Sequence, residues 1–205
     1  MTNTKIQCNN PLNGLSKKLA LITLCSLTLM ANPYESNKEE LESVVKTGQE
    51  VSATVLKTLG KNLKKHMKAG GPMAAAEFCS TKAYVLTADV DNQYGKDVQV
   101  KRISLKERNP ANQAEGEEKA ILESLDTLQK NGVILPPYLV ERVNKDTYKF
   151  YKPLVINKQV CLKCHGDIGK NQKLSQFLEK TYPHDKATGY RMGDLRGAVV
   201  VTIKK

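Results

Sequence analysis

The sequence predicts an α+β domain in which a small antiparallel sheet is flanked by helices and preceded by a long N-terminal helix. Apolar residues between Leu41 and Met67 recur at helical spacing. Residues 98–105 alternate apolar and basic side chains, and residues 198–203 are a β-branched run typical of a core strand. The order of the predicted elements, with helices and strands mixed along the chain, favours this class.

The first residues, 1–31, have the pattern of an export signal. Two lysines precede an apolar run over 19–30, which is short for a membrane span. We expect cleavage near Ala31, which would leave one domain over 32–205 in the periplasm. Two alternatives stay open, since the segment could remain as an uncleaved membrane anchor or Cys25 could carry a lipid.

The helical pattern that follows is interrupted once. A long helix is predicted over 38–69, and it ends at Gly70-Gly71. Pro72 suits the first position of a second helix. One face of that second helix carries small or unbranched residues, namely Met73, Ala76, Cys79 and Ala83. Such a face permits close approach of something large and flat.

The remaining elements follow in order after the first strand. The sequence predicts an irregular loop over 107–112 and a helix over 117–129. The strand predicted over 148–156 contains Pro153, and we expect an edge strand because proline cannot donate to a ladder. A short helix near 171–180 then precedes the last strand.

Composition and charge restrict the classes of partner. Hydrophobic residues make up 40% and charged residues 26% of the chain, as in soluble globular proteins. The net charge is +11, and about +8 remains without the three lysines of 1–31. Nucleic acid is not expected as a partner, because an exported protein rarely meets it and no aromatic-interleaved basic motif occurs. A solvated lysine surface, or electrostatic steering toward acidic redox partners or anionic lipid, accounts for the charge.

The cysteine count is odd once the export segment is set aside. Of five cysteines, Cys8 and Cys25 lie in that segment, which leaves Cys79, Cys161 and Cys164. A free thiol is a liability in an oxidising compartment, so each sulfur should have a use.

The motif Cys161-Leu162-Lys163-Cys164-His165 carries the chemistry. Two cysteines three residues apart on a helical turn can reach both vinyl-derived carbons of a haem, and the next histidine is aimed at the iron. A thioredoxin-like dithiol, a zinc site that includes Cys79 and a plain disulfide are the alternatives. The motif lies late in the chain and no second C-x-x-C exists, so one covalent haem c is the favoured interpretation.

The residue pattern alone does not decide which group is the second axial ligand of the iron. Histidine, methionine, cysteine and an open site all remain possible, and the candidates are Cys79, His66, His184, Met67, Met73 and Met192. Cys79 is favoured because it is the unpaired third cysteine on a helix face of small residues.

For the haem propionates, arginines that make bidentate bonds to carboxylates are the candidates: Arg102, Arg108, Arg191 and Arg196. The alternative for each arginine is a structural salt bridge.

Four separated segments of the chain resemble the single-haem PAS-like periplasmic cytochromes, long catalogued as a domain of unknown function. These segments are 71–79, 103–112, 151–166 and 185–197. The resemblance spans essentially the whole of 32–205, and it departs at 113–117, where the tryptophan of the family pattern is missing.

The resemblance implies a PAS-like sheet flanked by helices and iron ligation by His165 and Cys79. It also favours Arg108 and Arg191 as propionate partners, because both lie inside the resembling segments. We therefore expect a redox or gas sensor module that acts through a separate signalling protein, with a soluble periplasmic electron-transfer cytochrome as the alternative. A haem enzyme is not expected, because the sequence offers no convincing distal acid–base pair.

Overall fold

A computed structural model of the chain describes residues 38–205, and the predicted export segment lies outside the described residues. The helices are α1 (Lys38–Gln93), α2 (Gly116–Lys130), α3 (Gln159–His165) and α4 (Gln172–Thr181), with a short 3-10 turn at Pro110–Asn112. The strands are β1 (Val98–Ile103), β2 (Leu139–Asn144), β3 (Thr147–Val155) and β4 (Leu195–Lys204). The predicted α+β class with a small antiparallel sheet and a long N-terminal helix is confirmed.

Helix α1 bends sharply at its glycine pair. Gly71 has a φ of 68°, in the left-handed region that glycine occupies without strain. The rings of His66 and Phe78 stack with their centroids 4.2 Å apart, although twelve residues would separate them by roughly 18 Å in a continuous helix. The predicted interruption is therefore confirmed, and the second half of α1 folds back beside the end of the first.

The sheet has the order β1-β4-β3-β2, with every neighbouring pair antiparallel. Strand β4 is central, and its residues from Ala198 to Val201 are fully buried. Alternate β4 side chains face opposite layers. Val199 and Val201 pack against the first half of α1, whereas Ala198 and Val200 pack against α2.

The prediction that the strand containing Pro153 is an edge strand is wrong. β3 lies between β4 and β2, and Pro153 itself pairs with Ala198 of β4. β2 pairs with β3 only as far as Tyr151 opposite Leu139, so its ladder ends before the proline. Because β2 does not extend this far, the lack of an N–H at Pro153 costs no hydrogen bond to β2. The edge strand on this side of the sheet is β2, and it was not predicted because its C-terminal half is exposed and lacks a clear alternation.

Candidate functional site

The C-x-x-C-H motif lies in the short helix α3, and its histidine, His165, is the last residue of that helix. The N–H of Gly166 donates to the carbonyl of Leu162 at 2.8 Å. A Cβ at Gly166 would lie 2.7 Å from that same carbonyl oxygen, so glycine is required where the chain leaves the helix after His165. Cys161 and Cys164 are half-buried free thiols.

The imidazole of His165 is held in one tautomer by the backbone. Its Nδ1 lies 2.8 Å from the carbonyl oxygen of Ala187, and because a carbonyl only accepts, Nδ1 carries the proton. Nε2 then keeps the lone pair that a metal needs. Burial, together with the positive charges of Arg196 and Arg108, lowers the pKa of His165 to about 3, so the ring is neutral at physiological pH.

Arg108 holds the loop that supplies this carbonyl. Its Nε donates to Asp185 Oδ2 at 2.8 Å, and its Nη2 donates to the carbonyls of Cys164 at 2.7 Å and Ala187 at 3.3 Å. Asp185 Oδ1 in turn accepts the N–H of Ala187 at 2.7 Å. The structure therefore shows Arg108 bracing the motif through protein groups, and its contact with a haem propionate stays a prediction.

Tyr190 is a further residue that contacts His165. Its N–H donates to the carbonyl of His165 at 2.9 Å, and its ring stands edge-on to the imidazole with centroids 6.2 Å apart. Neither Tyr190 nor Ala187 was singled out from the sequence. The only available signal was their position within 185–197, one of the four resembling segments.

Cys79 lies on the second half of α1, which faces the motif. Cys164 packs with Met73 and Ala76 of that half, and its Sγ lies 4.0 Å from the carbonyl oxygen of Pro72. The Cys79 side chain is exposed to solvent, yet the protein around it raises the pKa of its thiol by desolvation.

Arg102 brings an unpartnered donor close to Cys79. Its Nη2 donates to the carbonyl of Ala83 at 3.3 Å, one helical turn beyond Cys79. Its Nε is buried without a hydrogen-bond partner among the described residues. The charges of Arg102 and Arg108 oppose the effect of burial on the pKa of the Cys79 thiol. A buried cationic donor that has no partner and lies near the Cys79 thiol fits a prosthetic group with anionic substituents.

The other predicted residues lie elsewhere or have other partners. Arg191 is exposed, and the structure gives it a backbone hydrogen bond to Asp194 Oδ2 at 2.7 Å. Arg196, the alternative arginine, is partly buried and donates from Nη1 to Ser104 Oγ at 2.6 Å. Among the alternative iron ligands, His184 and Met192 are exposed, whereas Met73 packs in the cluster that contains Cys164. The role of Arg191 toward a propionate stays a prediction.

Residues 38–205 contain neither a bare metal site nor a membrane-spanning helix. No three His, Cys, Asp or Glu side chains in this part of the chain come together where they could hold a bare metal ion. Within the same residues, no helix is long and apolar enough to cross a membrane.

Comparison with known proteins gives two matches. A family model described as Tll0287-like matches residues 31–204. The crystal structure of the cyanobacterial heme-protein Tll0287 is similar, with a TM-score of 0.52 and 25% sequence identity, over 83% of this chain and 98% of that chain. No curated protein matches the chain.

Proposed function

We propose that this chain, which belongs to the Tll0287-like family, is an exported cytochrome that carries one haem c on Cys161 and Cys164. The heme-protein that it resembles supports haem binding. The single observation that carries the proposal is the hydrogen bond between His165 Nδ1 and the carbonyl of Ala187. This bond leaves the lone pair of Nε2 available to a metal, on the residue that follows two free cysteines in the chain. The motif thus offers the two thiols and the imidazole nitrogen that C-x-x-C-H chemistry needs.

Cys79 is the proposed second axial ligand. It lies near Cys164, and although burial raises the pKa of its thiol, the positive charges of Arg102 and Arg108 oppose that effect. The orphaned Nε of Arg102 would be satisfied by an anionic group at this position, and a propionate has the right charge.

The function we propose is sensing of redox state or of a small gas, in the periplasm, with output through a separate signalling protein. When bound, the haem supplies a one-electron couple and a site for diatomic ligands. The chain's own contribution is to hold His165 rigidly through Ala187 and Arg108, while Cys79 is exposed and accessible to competition. We assign no enzymatic reaction, and residues 1–31 would serve as the export segment or as an uncleaved anchor.

The first experiment tests covalent attachment. The chain is produced with a c-type maturation system, and haem that stays on the denatured polypeptide is quantified by the pyridine haemochrome spectrum. We expect one haem per chain, and loss of retained haem when Cys161 and Cys164 are both replaced by alanine. A wild-type chain that releases its haem on denaturation would contradict the proposal.

The second experiment tests the second ligand. Ferric and ferrous absorption spectra of the wild type are compared with those of Cys79→Ala, with the neighbouring Ser80→Ala as the matched control. We expect the thiolate-to-iron character of the ferric spectrum to disappear only in Cys79→Ala. Identical spectra for all three proteins would move the assignment to histidine or methionine and favour a plain electron carrier.

One observation favours electron transfer as the second candidate function. Five exposed lysines of α1 lie within an arc of about 100° on a helical wheel, and no acidic residue occurs between Glu50 and Glu77. These lysines, which have no ion-pair partner among the described residues, are Lys57, Lys61, Lys64, Lys65 and Lys68. An electron carrier steered by this stripe should exchange electrons with an acidic redox protein at a rate that falls steeply with salt, whereas a sensor need not.

A further inference from the structure

A cavity of about 280 Å³ opens between α2 and the segment that leads into β4. Its apolar lining is formed by Leu105, Leu122 and Leu195. Tyr190 and Arg196 form the wall that faces His165, since the Tyr190 ring stands edge-on to the imidazole. The volume lies just below the range of typical ligand pockets, about 300–1,000 Å³, and suits an organic molecule of benzoate size or smaller.

The charged side chains that line this cavity have one more cation than anion. Asp126 is paired with Lys130 at 2.6 Å, and Asp194 accepts a backbone N–H. Neither Arg196 nor Lys106 has a carboxylate within ion-pair distance among residues 38–205. The lining therefore carries three cations against two carboxylates, and this net positive charge beside an apolar lining favours an anion with a hydrophobic body.

We propose that the cavity binds a small organic carboxylate, with its anionic end at Arg196 and Lys106 and its body among the leucines. Arg196 is held in place by Ser104 Oγ at 2.6 Å and by the carbonyl of Lys106 at 3.1 Å, so the cation is positioned before a ligand arrives. The Lys106 side chain is exposed at the rim, and its Nζ donates to the carbonyl of Thr188 at 2.7 Å. A carboxylate oxygen could replace that carbonyl as acceptor.

The same two cations contact Tyr190, which in turn contacts His165, the proposed iron ligand. Lys106 Nζ lies 4.5 Å and Arg196 Cζ 5.4 Å from the centre of the Tyr190 ring, and Tyr190 contacts His165 through both its ring edge and its N–H. A carboxylate bound beside the two cations would change the electrostatic potential behind the imidazole. This coupling rests on the proposed function, and it would make the carboxylate a signal that the haem centre reports.

The test uses the haem-loaded chain and three probes: acetate, butyrate and benzoate, each compared with its neutral amide. The melting temperature, the absorption spectrum and the reduction potential are followed during titration. We expect at least one carboxylate to raise Tm by about 5–10 °C at 100-fold its Kd, and to shift the potential saturably, while its amide does neither.

Three variants locate the effect. Lys106→Gln removes one cation, and Leu105→Phe fills the cavity, so both should weaken binding about tenfold or more. Lys173→Gln removes an exposed lysine on α4 and should bind like the wild type. The ferric spectrum of each variant shows whether the haem environment has survived.

Each outcome bears on one proposal. No saturable response to any of the three carboxylates, or an unchanged affinity in Lys106→Gln, would overturn the cavity site. A Tm response without a change in spectrum or potential would support the site and overturn the coupling. A carboxylate response in a chain that retains no covalent haem would support the site and contradict the proposed function instead.

Discussion

His165 takes its chemical character from a backbone carbonyl 22 residues away. The Ala187 oxygen fixes the proton on Nδ1, and Ala187 is itself held by Arg108 and Asp185. The orientation of the candidate ligand therefore depends on a loop that contributes no side chain to the bond. Arg108 is the residue whose loss should disturb this arrangement most.

We predict that Arg108→Gln lowers the free energy of unfolding by about 3–5 kcal/mol, because it leaves the Asp185 carboxylate buried without its partner. Urea unfolding measures the loss. The control is Arg191→Gln, which changes an exposed arginine of the same predicted set and should stay within about 0.5 kcal/mol of the wild type. Equal effects of the two substitutions would mean that Arg108 does not brace the motif.

Glu107 makes the neighbouring contact pH-dependent. Burial by itself would raise the pKa of Glu107, but hydrogen bonds from Lys186 Nζ at 2.7 Å and from the backbone lower it below its usual 4.5. The unfolded chain therefore takes up this proton at a higher pH than the folded chain does. The stabilisation is fully present above about pH 4.5 and is lost as the pH falls through the lowered folded pKa.

We predict that Glu107→Gln flattens the dependence of the free energy of unfolding on pH between about pH 5 and 3. Urea titrations at several pH values measure this slope. Glu123→Gln, a substitution at an exposed carboxylate of α2, is the control and should keep the wild-type slope. A slope that is unaltered in Glu107→Gln would show that the Lys186 contact does not contribute.

Among the elements, α1 serves two purposes on either side of its bend. The first half supplies Val44, Val51 and Val55 to the core, and the second half packs Met73 and Ala76 against Cys164 of the motif. Close packing of the first half depends on Gly48, because a Cβ at that position would overlap the ring of Phe150. The position of the whole helix relative to the sheet thus depends on one missing methyl group.

We predict that Gly48→Ala destabilises the fold by about 1–3 kcal/mol through overpacking against Phe150. Gly60 lies in the same half of the helix, and a Cβ there would meet nothing within 4 Å. Gly60→Ala should therefore stabilise by about 0.5–1 kcal/mol through helix propensity. Thermal unfolding that shows the same sign for both substitutions would contradict this packing of α1.

Across the whole molecule, the core of the sheet is separate from the candidate site. Val199 and Val201 pack under α1, and Val200 packs under α2. The motif helix packs instead with α4 and the second half of α1, in the cluster around Leu174 and Leu178. The sheet should therefore form whether or not the motif is occupied.

We predict that a chain with Cys161→Ser and Cys164→Ser still folds. Each substitution at these half-buried positions should cost about 1–2 kcal/mol, within the 5–15 kcal/mol of a typical domain. Far-UV circular dichroism should keep the wild-type shape, while covalently retained haem is lost. A random-coil spectrum would show that the sheet depends on the occupied motif.

The sequence by itself determined the features that short-range patterns encode. The C-x-x-C-H motif at 161–165, the interruption at Gly70-Gly71 and the buried strand near 198–203 follow from residue types and spacing over a few residues. The helix over 117–129 was also predicted almost to its ends, since its apolar period and its closing Asn131-Gly132 are local signals. The fold class followed from the order of these elements.

Only the tertiary structure decided how distant segments meet. It placed β3 in the middle of the sheet, paired Arg108 with Asp185, and aimed the carbonyl of Ala187 at His165. These contacts join residues far apart in the chain, through loops whose conformations no periodic pattern specifies. A local pattern reports which side of an element is buried, but the partner on that side is selected by packing of the whole chain.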